Sequence, residues 1–544
     1  MSLKSPFPDA SLPDAKLYDL IFGSLEPNER SRVAIMDGST GQSLTYGELD
    51  RQILALAGAL AARGLGAGTV IGLISPNTPA FATAFHGILR AGATVTPLNA
   101  LFTEQDIAKQ LKNAGARALF THSSGLPKAW EAAAEVGIPK ERVFVLDGVL
   151  DGAPDEFPSL AGLVAEERRA PEVHADPATH VAVLPYSSGT TGHPKGVMLS
   201  HRNFIANLAS NQPLMRLSAA ERVLAVLPFS HIFGMTALLN LSLLHRAQVV
   251  TMPRFTLPDF LRVVAEYRCT YLFIAPPLAV TLAKHPLVEE FNLTSIKMIY
   301  CGSAPLDHDI AMTTARRLNC RIRNAYGMTE LTATTHMIAF DDDETRLNTV
   351  GMSVPNLEIK IVDAETGQEV AYPAPGSNET SAPGELWCRG PNVMMGYLDN
   401  PEATRAALDE EGFLHTGDVA TVDGRGVLTI VDRIKELIKY HGYQVSPTEL
   451  ESVLLANPRI ADAAVIGVAD ADGQEIPKAF IVKQHDAETL TAQEVMDFVA
   501  ARVAPQKKIR AVSFVDLIPK TPSGKILRKD LKLLETTLEL REAA

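Results

Sequence analysis

Two patterns of apolar and polar positions alternate along the chain from about Ser43 onward. Residues 46–63 carry apolar side chains at helical spacing, whereas residues 70–74 form a continuous apolar run that ends at Ser75-Pro76-Asn77. The same two patterns recur at residues 81–90 and 93–98. Helical and strand-like segments that alternate in this way predict a layered α/β fold with largely parallel strands.

The second half of the chain has a different character. Between about residues 340 and 430, short strand-like runs, glycines and prolines predict a β-rich subdomain. After it, Ser446-Pro447-Thr448-Glu449 and Thr491-Ala492-Gln493-Glu494 each match a helix-capping box within a compact α+β pattern. We therefore expect a large N-terminal α/β domain over residues 1–434 and a small α+β C-terminal domain over residues 435–544, joined by a hinge.

Length and composition narrow the class of protein. The 544 residues exceed what one hydrophobic core supports, so at least two domains are expected. The net charge of −13 argues against a nucleic-acid-binding surface. No apolar run approaches the ~20 residues that a bilayer requires, and residues 1–6 lack the apolar region of a secretory signal, so we expect a cytoplasmic protein without a membrane span.

The four cysteines carry no metal or disulfide pattern. They are scattered without C-x-x-C or histidine-rich spacing, which predicts reduced, packed thiols rather than zinc ligands or disulfides. They are Cys269, Cys301, Cys320 and Cys388.

A loop rich in glycine and hydroxyl side chains follows the apolar residues 181–184. Its glycines let backbone N–H groups approach oxyanions, its hydroxyls add neutral donors, and Lys195 supplies a cation, so the loop suits a polyphosphate. The spacing differs from the G-x-x-x-x-G-K-[ST] motif of P-loop nucleotide hydrolases. The predicted phosphate-binding residues are Ser187, Ser188, Gly189, Thr190, Thr191, Gly192 and Lys195.

Further blocks accompany this loop in a fixed order. They are Tyr300-Cys301-Gly302-Ser303-Ala304-Pro305-Leu306, Asn324-Ala325-Tyr326-Gly327-Met328-Thr329-Glu330, residues 387–397 with 413–418, and residues 519–529. With these blocks the chain resembles, over nearly its whole length, the adenylate-forming superfamily of acyl-CoA synthetases, luciferases and peptide-synthetase adenylation domains. Agreement is closest with 4-coumarate:CoA ligases, notably over residues 434–447.

The resemblance implies an activity with its substrates. A carboxylic acid and ATP, with Mg²⁺, would give an acyl-adenylate, and coenzyme A would then take the acyl group as a thioester. Such a ligase acts as a monomer or homodimer, has no nucleic-acid partner, and needs two active-site geometries, between which the C-terminal domain rotates.

The resemblance also assigns nucleotide contacts. The ring of Tyr326 would stack on adenine, the hydroxyl of Thr329 would meet the α-phosphate, and the carboxylate of Glu330 would ligate Mg²⁺. Asp418 would accept hydrogen bonds from the ribose hydroxyls, and Arg433 would lie near the ribose and phosphate. The remaining ATP-binding positions are Ser303, Ala304, Pro305, Ala325, Gly327 and Met328.

Catalytic and acyl-binding roles follow from the same resemblance. Lys525 would deliver its ammonium to the α-phosphate and carboxylate oxygens, His231 would lie beside the carboxylate, and Lys435 would be the hinge. Lys439, Gln444 and the Gly442-Tyr443 loop would serve the CoA step. The expected acyl pocket consists of His231, Ile232, Phe233, Gly302, Gly327, Ala333 and Thr334.

The identity of the acid stays open at this level. Our hypothesis is an aromatic acid of the 4-coumarate or cinnamate type, but Phe233 stands where many plant 4-coumarate:CoA ligases have tyrosine, and residues 331–334 also depart from their sequence. Other arylacrylates, benzoates and medium-chain fatty acids fit equally. Alternatives are a medium- or long-chain fatty-acyl-CoA ligase, a fatty-acyl-AMP ligase, a luciferase-like oxygenase, and a nucleotide-binding regulator without turnover.

Overall fold

The structure is a computed structural model that describes residues 2–147, 157–187, 194–441, 443–470, 475–485, 487–521 and 524–542. Two large sheets dominate these residues, and the central strands of both are parallel, as predicted. In spatial order, the nine-stranded sheet consists of Met352–Ser353, Ala333–Met337, Arg321–Met328, Met298–Cys301, Tyr271–Ile274, Arg222–Ala225, Gln248–Thr251, Val33–Asp37 and Ser43–Thr45. The eight-stranded sheet consists of Gly396–Tyr397, Lys195–Ser200, Val181–Val183, Thr94–Leu98, Val70–Ile74, Ala116–Thr121 and Val143–Val145, with Tyr186–Ser187 beside Lys195–Ser200.

Three smaller sheets complete the strands of the described residues. An antiparallel five-stranded sheet has the order Leu3–Lys4, Glu358–Val362, Gly384–Arg389, Leu414–Val422 and Leu428–Arg433. A hairpin pairs Ile438–Tyr440 with Tyr443–Val445, and a three-stranded sheet has the order Ile460–Ala469, Glu475–Lys483 and Ala511–Phe514.

Helices connect these strands. The α-helices of the described residues are Leu17–Phe22, Pro27–Arg30, Tyr46–Ala62, Pro79–Arg90, Glu104–Asn113, Leu126–Glu135, Leu160–Ala165, His201–Met215, Ser242–Leu244, Leu257–Tyr267, Pro276–Lys284, His308–Leu318, Pro401–Ala407, Pro447–Leu455, Ala492–Ala500 and Arg528–Glu542. A buried π-helix, Gly234–Leu241, follows directly after Phe233. None of the helices in the described ranges is long and apolar enough to cross a bilayer.

Of the two capping boxes that the sequence predicts, one forms completely and the other only in part. The box at Thr491 forms as expected, with Thr491 and Glu494 each accepting the other's backbone N–H. At Ser446 only half of the box forms: the hydroxyl accepts the Glu449 N–H, but the Glu449 carboxylate is held instead by the Lys507 ammonium at 2.7 and 2.8 Å. The charged donor Lys507 therefore takes the place of the Ser446 backbone N–H as the partner of the Glu449 carboxylate.

The predicted nucleotide-binding block at residues 324–330 mostly continues a strand, Arg321–Met328. Its first half pairs with Met298–Cys301 in parallel, and its second half pairs with Ala333–Met337 antiparallel. The hairpin partner keeps the chain extended through Tyr326 and Gly327, and so places this motif on a rigid edge.

Buried apolar side chains separate into clusters near Lys435. Of the five clusters in the described residues, three contain only residues before Lys435. The other two contain only residues from Ile438 onward. Polar contacts cross this boundary both next to it and further away. Ser446 Oγ lies 2.9 Å from the Val431 carbonyl oxygen and 2.7 Å from Asp432 Oδ2, and the Thr448 N–H donates to Asp432 Oδ2 at 3.0 Å. Ser452 Oγ donates to Asp307 Oδ2 at 3.1 Å, and Lys284 Nζ donates to the Leu455 carbonyl at 3.2 Å.

The loop before Lys525 approaches the N-terminal part closely. Gly524 has a φ of +84°, and a Cβ at this position would lie 2.9 Å from the Cβ of Ala275. A positive φ and this close approach both require glycine. Gly524 therefore lets the lysine that follows it reach across the boundary.

Candidate active site

One cavity of about 770 Å³ lies where the large sheets, the five-stranded sheet and the C-terminal part meet. Residues from segments far apart in sequence line it together. Of the predicted site residues, its walls include Ser187, Lys195, His231, Ile232, Phe233, Gly302, Ser303, Ala325, Tyr326, Gly327, Met328, Thr329, Glu330, Ala333, Thr334, Arg433, Lys435 and Lys525.

The side of the cavity formed by the five-stranded sheet holds a buried polar cluster. Tyr326 Oη donates to Asp418 Oδ2 at 2.5 Å, and Arg433 Nε lies 3.1 Å from Asp418 Oδ1. Asp418 and Arg433 are register partners on adjacent strands, so the backbone fixes their distance. Burial and the Asp418 carboxylate raise the pKa of Tyr326 well above its usual value, so its hydroxyl keeps its proton and remains a donor.

Lys195 and Glu330 both contact Tyr397. Lys195 lies over its ring, and Glu330 accepts from its hydroxyl. The ammonium of Lys195 lies 4.8 Å from the ring centroid of Tyr397, and Tyr397 Oη donates to Glu330 Oε1 at 3.0 Å. Lys195 begins the strand Lys195–Ser200, and Glu330 lies in a 3₁₀ turn after the strand Arg321–Met328. Tyr397 ends the block at residues 387–397 but is not among the predicted site residues.

Lys525 is the cation that the C-terminal part contributes to the cavity. Its ammonium makes no hydrogen bond or ion pair with any described residue, and its backbone N–H donates to Thr521 Oγ1 at 3.1 Å. Burial, followed by the nearby guanidinium of Arg433, lowers the pKa of Lys525 to about 8. Such an ammonium is poised to meet a negative charge that enters the cavity.

Helix Arg528–Glu542 starts just behind this lysine and is anchored by buried charge. Arg528 donates to Glu436 Oε2 at 2.8 Å and to both carboxylate oxygens of Glu451 at 2.7 and 2.9 Å. Glu436 follows Lys435 directly in sequence. Nη2 of Arg528 reaches both Glu451 oxygens while Nη1 reaches Glu436, so one guanidinium ties the start of this helix to the segment at Glu436.

The apolar side of the cavity is formed by the segment before the π-helix. A Cβ on Gly234 would lie 2.1 Å from the Pro228 carbonyl oxygen, so only glycine allows the turn that presents His231 and Phe233. Phe233 packs edge-on against Phe273 with centroids 6.0 Å apart, and Phe273 stacks on Tyr300 at 5.6 Å. Burial, followed by repulsion from Lys525, lowers the pKa of His231 to about 4, so the ring is neutral near neutral pH.

Several predicted site residues do not line the cavity. Asp418 lies behind Tyr326, while Ala304 and Pro305 lie beyond Ser303. Lys439 and Gln444 are exposed register partners on the hairpin, and Tyr443 is 56% exposed beside them. Ser188, Gly189, Thr190, Thr191, Gly192 and Gly442 fall outside the described residues.

Glu385 and His415 also line the cavity, although neither is among the predicted site residues. His415 stacks on Trp387 with centroids 3.7 Å apart, and Glu385 accepts the Gly417 N–H at 2.9 Å while holding the Trp387 indole N–H at 2.8 Å. These residues alternate along two paired strands, Gly384–Arg389 and Leu414–Val422. Strand alternation alone could have shown that they share a face, but not that this face meets the cavity.

Sequence models of known families match two segments of the chain. The model for AMP-binding enzymes matches residues 26–398, and the model for the C-terminal domain of AMP-binding enzymes matches residues 449–525. Both segments contribute residues to the cavity.

Individual proteins are similar over nearly the full length. The chain is 38% identical over 539 residues to 4-coumarate–CoA ligase 5 of Oryza sativa subsp. japonica, which covers 97% of this chain and 96% of that protein. It is 40% identical over 511 residues to 4-coumarate–CoA ligase 3 of the same plant, which covers 92% and 89%. The crystal structure of ATP-bound MatB from Rhodopseudomonas palustris superposes with a TM-score of 0.83 at 28% identity, covering 95% of this chain and 98% of that one.

Proposed function

The chain belongs to the family of AMP-binding enzymes and is an AMP-forming acid–CoA ligase, and we propose that its acid is an aromatic one of the 4-coumarate or cinnamate type. One observation carries the proposal. One cavity is lined by Lys195 and Lys525, which make no ion pair with any described residue, by the buried carboxylate of Glu330, and by the ring of Phe233. Tyr326 and Arg433 also line it and hold the carboxylate of Asp418. An enzyme that joins ATP to an apolar acid needs all of these groups in one place.

In the proposed first step, ATP binds with its adenine against Tyr326 and its ribose near Asp418 and Arg433. Lys195 and the loop before it hold the β- and γ-phosphates. A carboxylate oxygen of the acid attacks the α-phosphorus, the bond from that phosphorus to pyrophosphate breaks, and the acyl-adenylate forms. Lys525 stabilises the negative charge that builds on the α-phosphate and carboxylate oxygens.

The residues near the phosphates fit a magnesium ion. Glu330 is buried, and within the described residues its carboxylate has one hydrogen-bond donor, Tyr397. No group of three acidic, histidine or cysteine side chains in the described ranges forms a metal cage. Mg²⁺ typically takes one or two carboxylates together with substrate phosphates and water. We propose that Glu330 supplies that carboxylate and that the ion neutralises phosphate charge.

The apolar wall supports an aromatic acid. Phe233 packs edge-on against Phe273, which stacks on Tyr300, and a Cβ on Gly302 would lie 3.2 Å from the Phe233 ring. The missing side chain leaves room for a planar ring beside Phe233. The neutral imidazole of His231 lines the same cavity, where it can orient the carboxylate without pairing with it as a permanent ion.

The second step requires a different set of residues. The thiol of CoA attacks the acyl carbonyl carbon, AMP leaves, and the thioester forms. We propose that residues 435–544 form a domain that rotates about Lys435, withdrawing Lys525 and bringing Lys439, Tyr443 and Gln444 from their exposed hairpin to the acyl-adenylate. The separation of the apolar clusters at Lys435 supports such a motion.

A panel of carboxylic acids tests the proposal. Purified protein with ATP and Mg²⁺ is given 4-coumarate, cinnamate, benzoate, hexanoate or decanoate, and AMP and acyl-CoA are measured with and without CoA. We expect the highest kcat/KM with the arylacrylates, and acyl-CoA only when CoA is present. A preference for decanoate over cinnamate would make the enzyme a fatty-acyl-CoA ligase. AMP release without any acyl-CoA would contradict CoA ligation.

A further inference from the structure

We propose that Tyr397 is a positioning residue that holds Glu330 and Lys195 apart, so that the carboxylate is free for a metal ion and the ammonium for phosphate. The proposal rests on the phosphate and metal roles given above for these two residues. Tyr397 itself need not touch the reacting atoms. Its ring and its hydroxyl perform two separate tasks, which makes them separable by substitution.

The need for such a residue follows from electrostatics. Lys195 and Glu330 line the same cavity and carry opposite charges, yet neither makes an ion pair with any described residue. Without a barrier, an ammonium and a carboxylate at a shared, partly dry site would attract each other strongly. A direct pair would neutralise both groups, and MgATP would have to break it before binding.

Tyr397 provides that barrier through two different interactions. The face of its ring attracts the Lys195 ammonium at 4.8 Å, because the ring quadrupole is negative there. Its hydroxyl donates to Glu330 Oε1 at 3.0 Å, which orients the carboxylate. The two charged groups are thus attached to different parts of one rigid side chain.

The backbone around Tyr397 reinforces the arrangement. Tyr397 is the register partner of Val197, and the Leu398 N–H donates to the Gly196 carbonyl at 2.8 Å, so its segment is tied to the strand that begins at Lys195. On the other side, the Met394 N–H donates to the Glu330 carbonyl at 2.9 Å. The same short segment therefore anchors the backbone on both sides of the pair.

The test measures metal and nucleotide binding rather than turnover. Free Mn²⁺ is titrated by electron paramagnetic resonance in the presence of α,β-methylene-ATP, which cannot be cleaved at the reacting bond. Tyr397→Phe keeps the ring and loses the hydroxyl, and we expect it to weaken Mn²⁺ binding by about 10- to 100-fold, as loss of a partner that orients a metal ligand does. Its affinity for the nucleotide without metal should stay within about twofold, because the ring contact with Lys195 remains.

Tyr397→Leu removes both contacts, so we expect it to lose affinity for the metal-free nucleotide as well. Tyr18→Phe is the matched control: Tyr18 Oη donates to the buried Asp50 at 2.7 Å, outside the cavity lining. It should bind Mn²⁺ and nucleotide like the wild type. Thermal unfolding of each variant shows that differences in binding are not differences in folding.

A double-mutant cycle decides the mechanism. In a Glu330→Gln background, Tyr397→Phe should cause no further loss of Mn²⁺ binding, because the hydroxyl acts through that carboxylate. Wild-type Mn²⁺ affinity in the folded Tyr397→Phe protein, or an undiminished effect in the Glu330→Gln background, would overturn the proposal. If the wild-type enzyme forms no acyl-adenylate from any acid, the proposed function itself fails, which is a separate result.

Discussion

Lys195 and Lys525 both face the cavity without an ion-pair partner among the described residues, and they are held in very different ways. Lys195 begins a strand of the eight-stranded sheet and lies over the ring of Tyr397. Lys525 lies on a loop of the C-terminal part, behind Gly524 and ahead of a helix anchored by Arg528. One lysine is fixed to a strand of the large sheet, whereas in our proposal the other moves with residues 435–544.

This difference suggests how one cavity can serve two reactions. Phosphate binding needs a cation for as long as the nucleotide is bound, which suits a lysine on a strand. Charge that builds only during adenylate formation is best met by a cation that can later withdraw. The Arg528 cluster would keep Lys525 and the segment at Glu436 moving as one body.

The largest expected effect is the loss of acyl-adenylate formation when Lys525 is replaced. Lys525→Ala should slow acyl-adenylate formation by at least about 10²-fold, because it removes a charge partner of the transition state. The reaction of preformed acyl-adenylate with CoA should change far less, because the proposed rotation withdraws Lys525 before that step. Single-turnover assays of each half-reaction measure both rates.

Lys529→Ala is the control for Lys525→Ala. It removes an exposed lysine four positions further along the same segment. It should leave both half-reactions near the wild-type rate. Near-normal adenylate formation by Lys525→Ala would contradict the catalytic role of Lys525.

A rise in pH should remove the charge of Lys525 without any mutation. A lysine is cationic below its pKa, and burial lowers that of Lys525 to about 8, so the cation is lost as the pH rises through this value. Above it, the single-turnover rate of adenylation should fall about tenfold per pH unit. In Lys525→Arg, residual activity should show no such decline, because guanidinium stays charged. A flat wild-type profile up to pH 10 would argue against a functional Lys525 ammonium.

The smallest expected effect concerns the hinge. Lys435→Pro restricts the backbone where the two parts join, so it should slow thioester formation about five- to tenfold more than adenylate formation, as hinge substitutions affect conformational steps. Lys435→Ala, which leaves the backbone free, serves as the control. Equal slowing of both half-reactions would argue against rotation about this residue.

The sequence alone determined the class of fold and the order of the chemical motifs. Periodicity of apolar residues predicted the parallel α/β architecture, which is confirmed, because buried parallel strands are continuous apolar runs. The glycine- and hydroxyl-rich loop with Lys195, together with the segment from Ala325 to Glu330, pointed to the family of enzymes that the family models identify. These are local signals, carried by residues that are neighbours in the chain.

Hydrogen bonds and pKa shifts between residues far apart in sequence became visible in the folded chain alone. Tyr397 is far from Glu330 in sequence, as Tyr326 is from Asp418, so no spacing rule predicts either hydrogen bond. The lowered pKa of Lys525 likewise depends on burial at a boundary between two parts of the chain. The half-formed cap at Ser446 is a further example, because Lys507, far along the chain, donates to the Glu449 carboxylate that the local pattern assigns to the cap. Local patterns fix which groups are present, whereas folding fixes which of them meet and how strongly they interact.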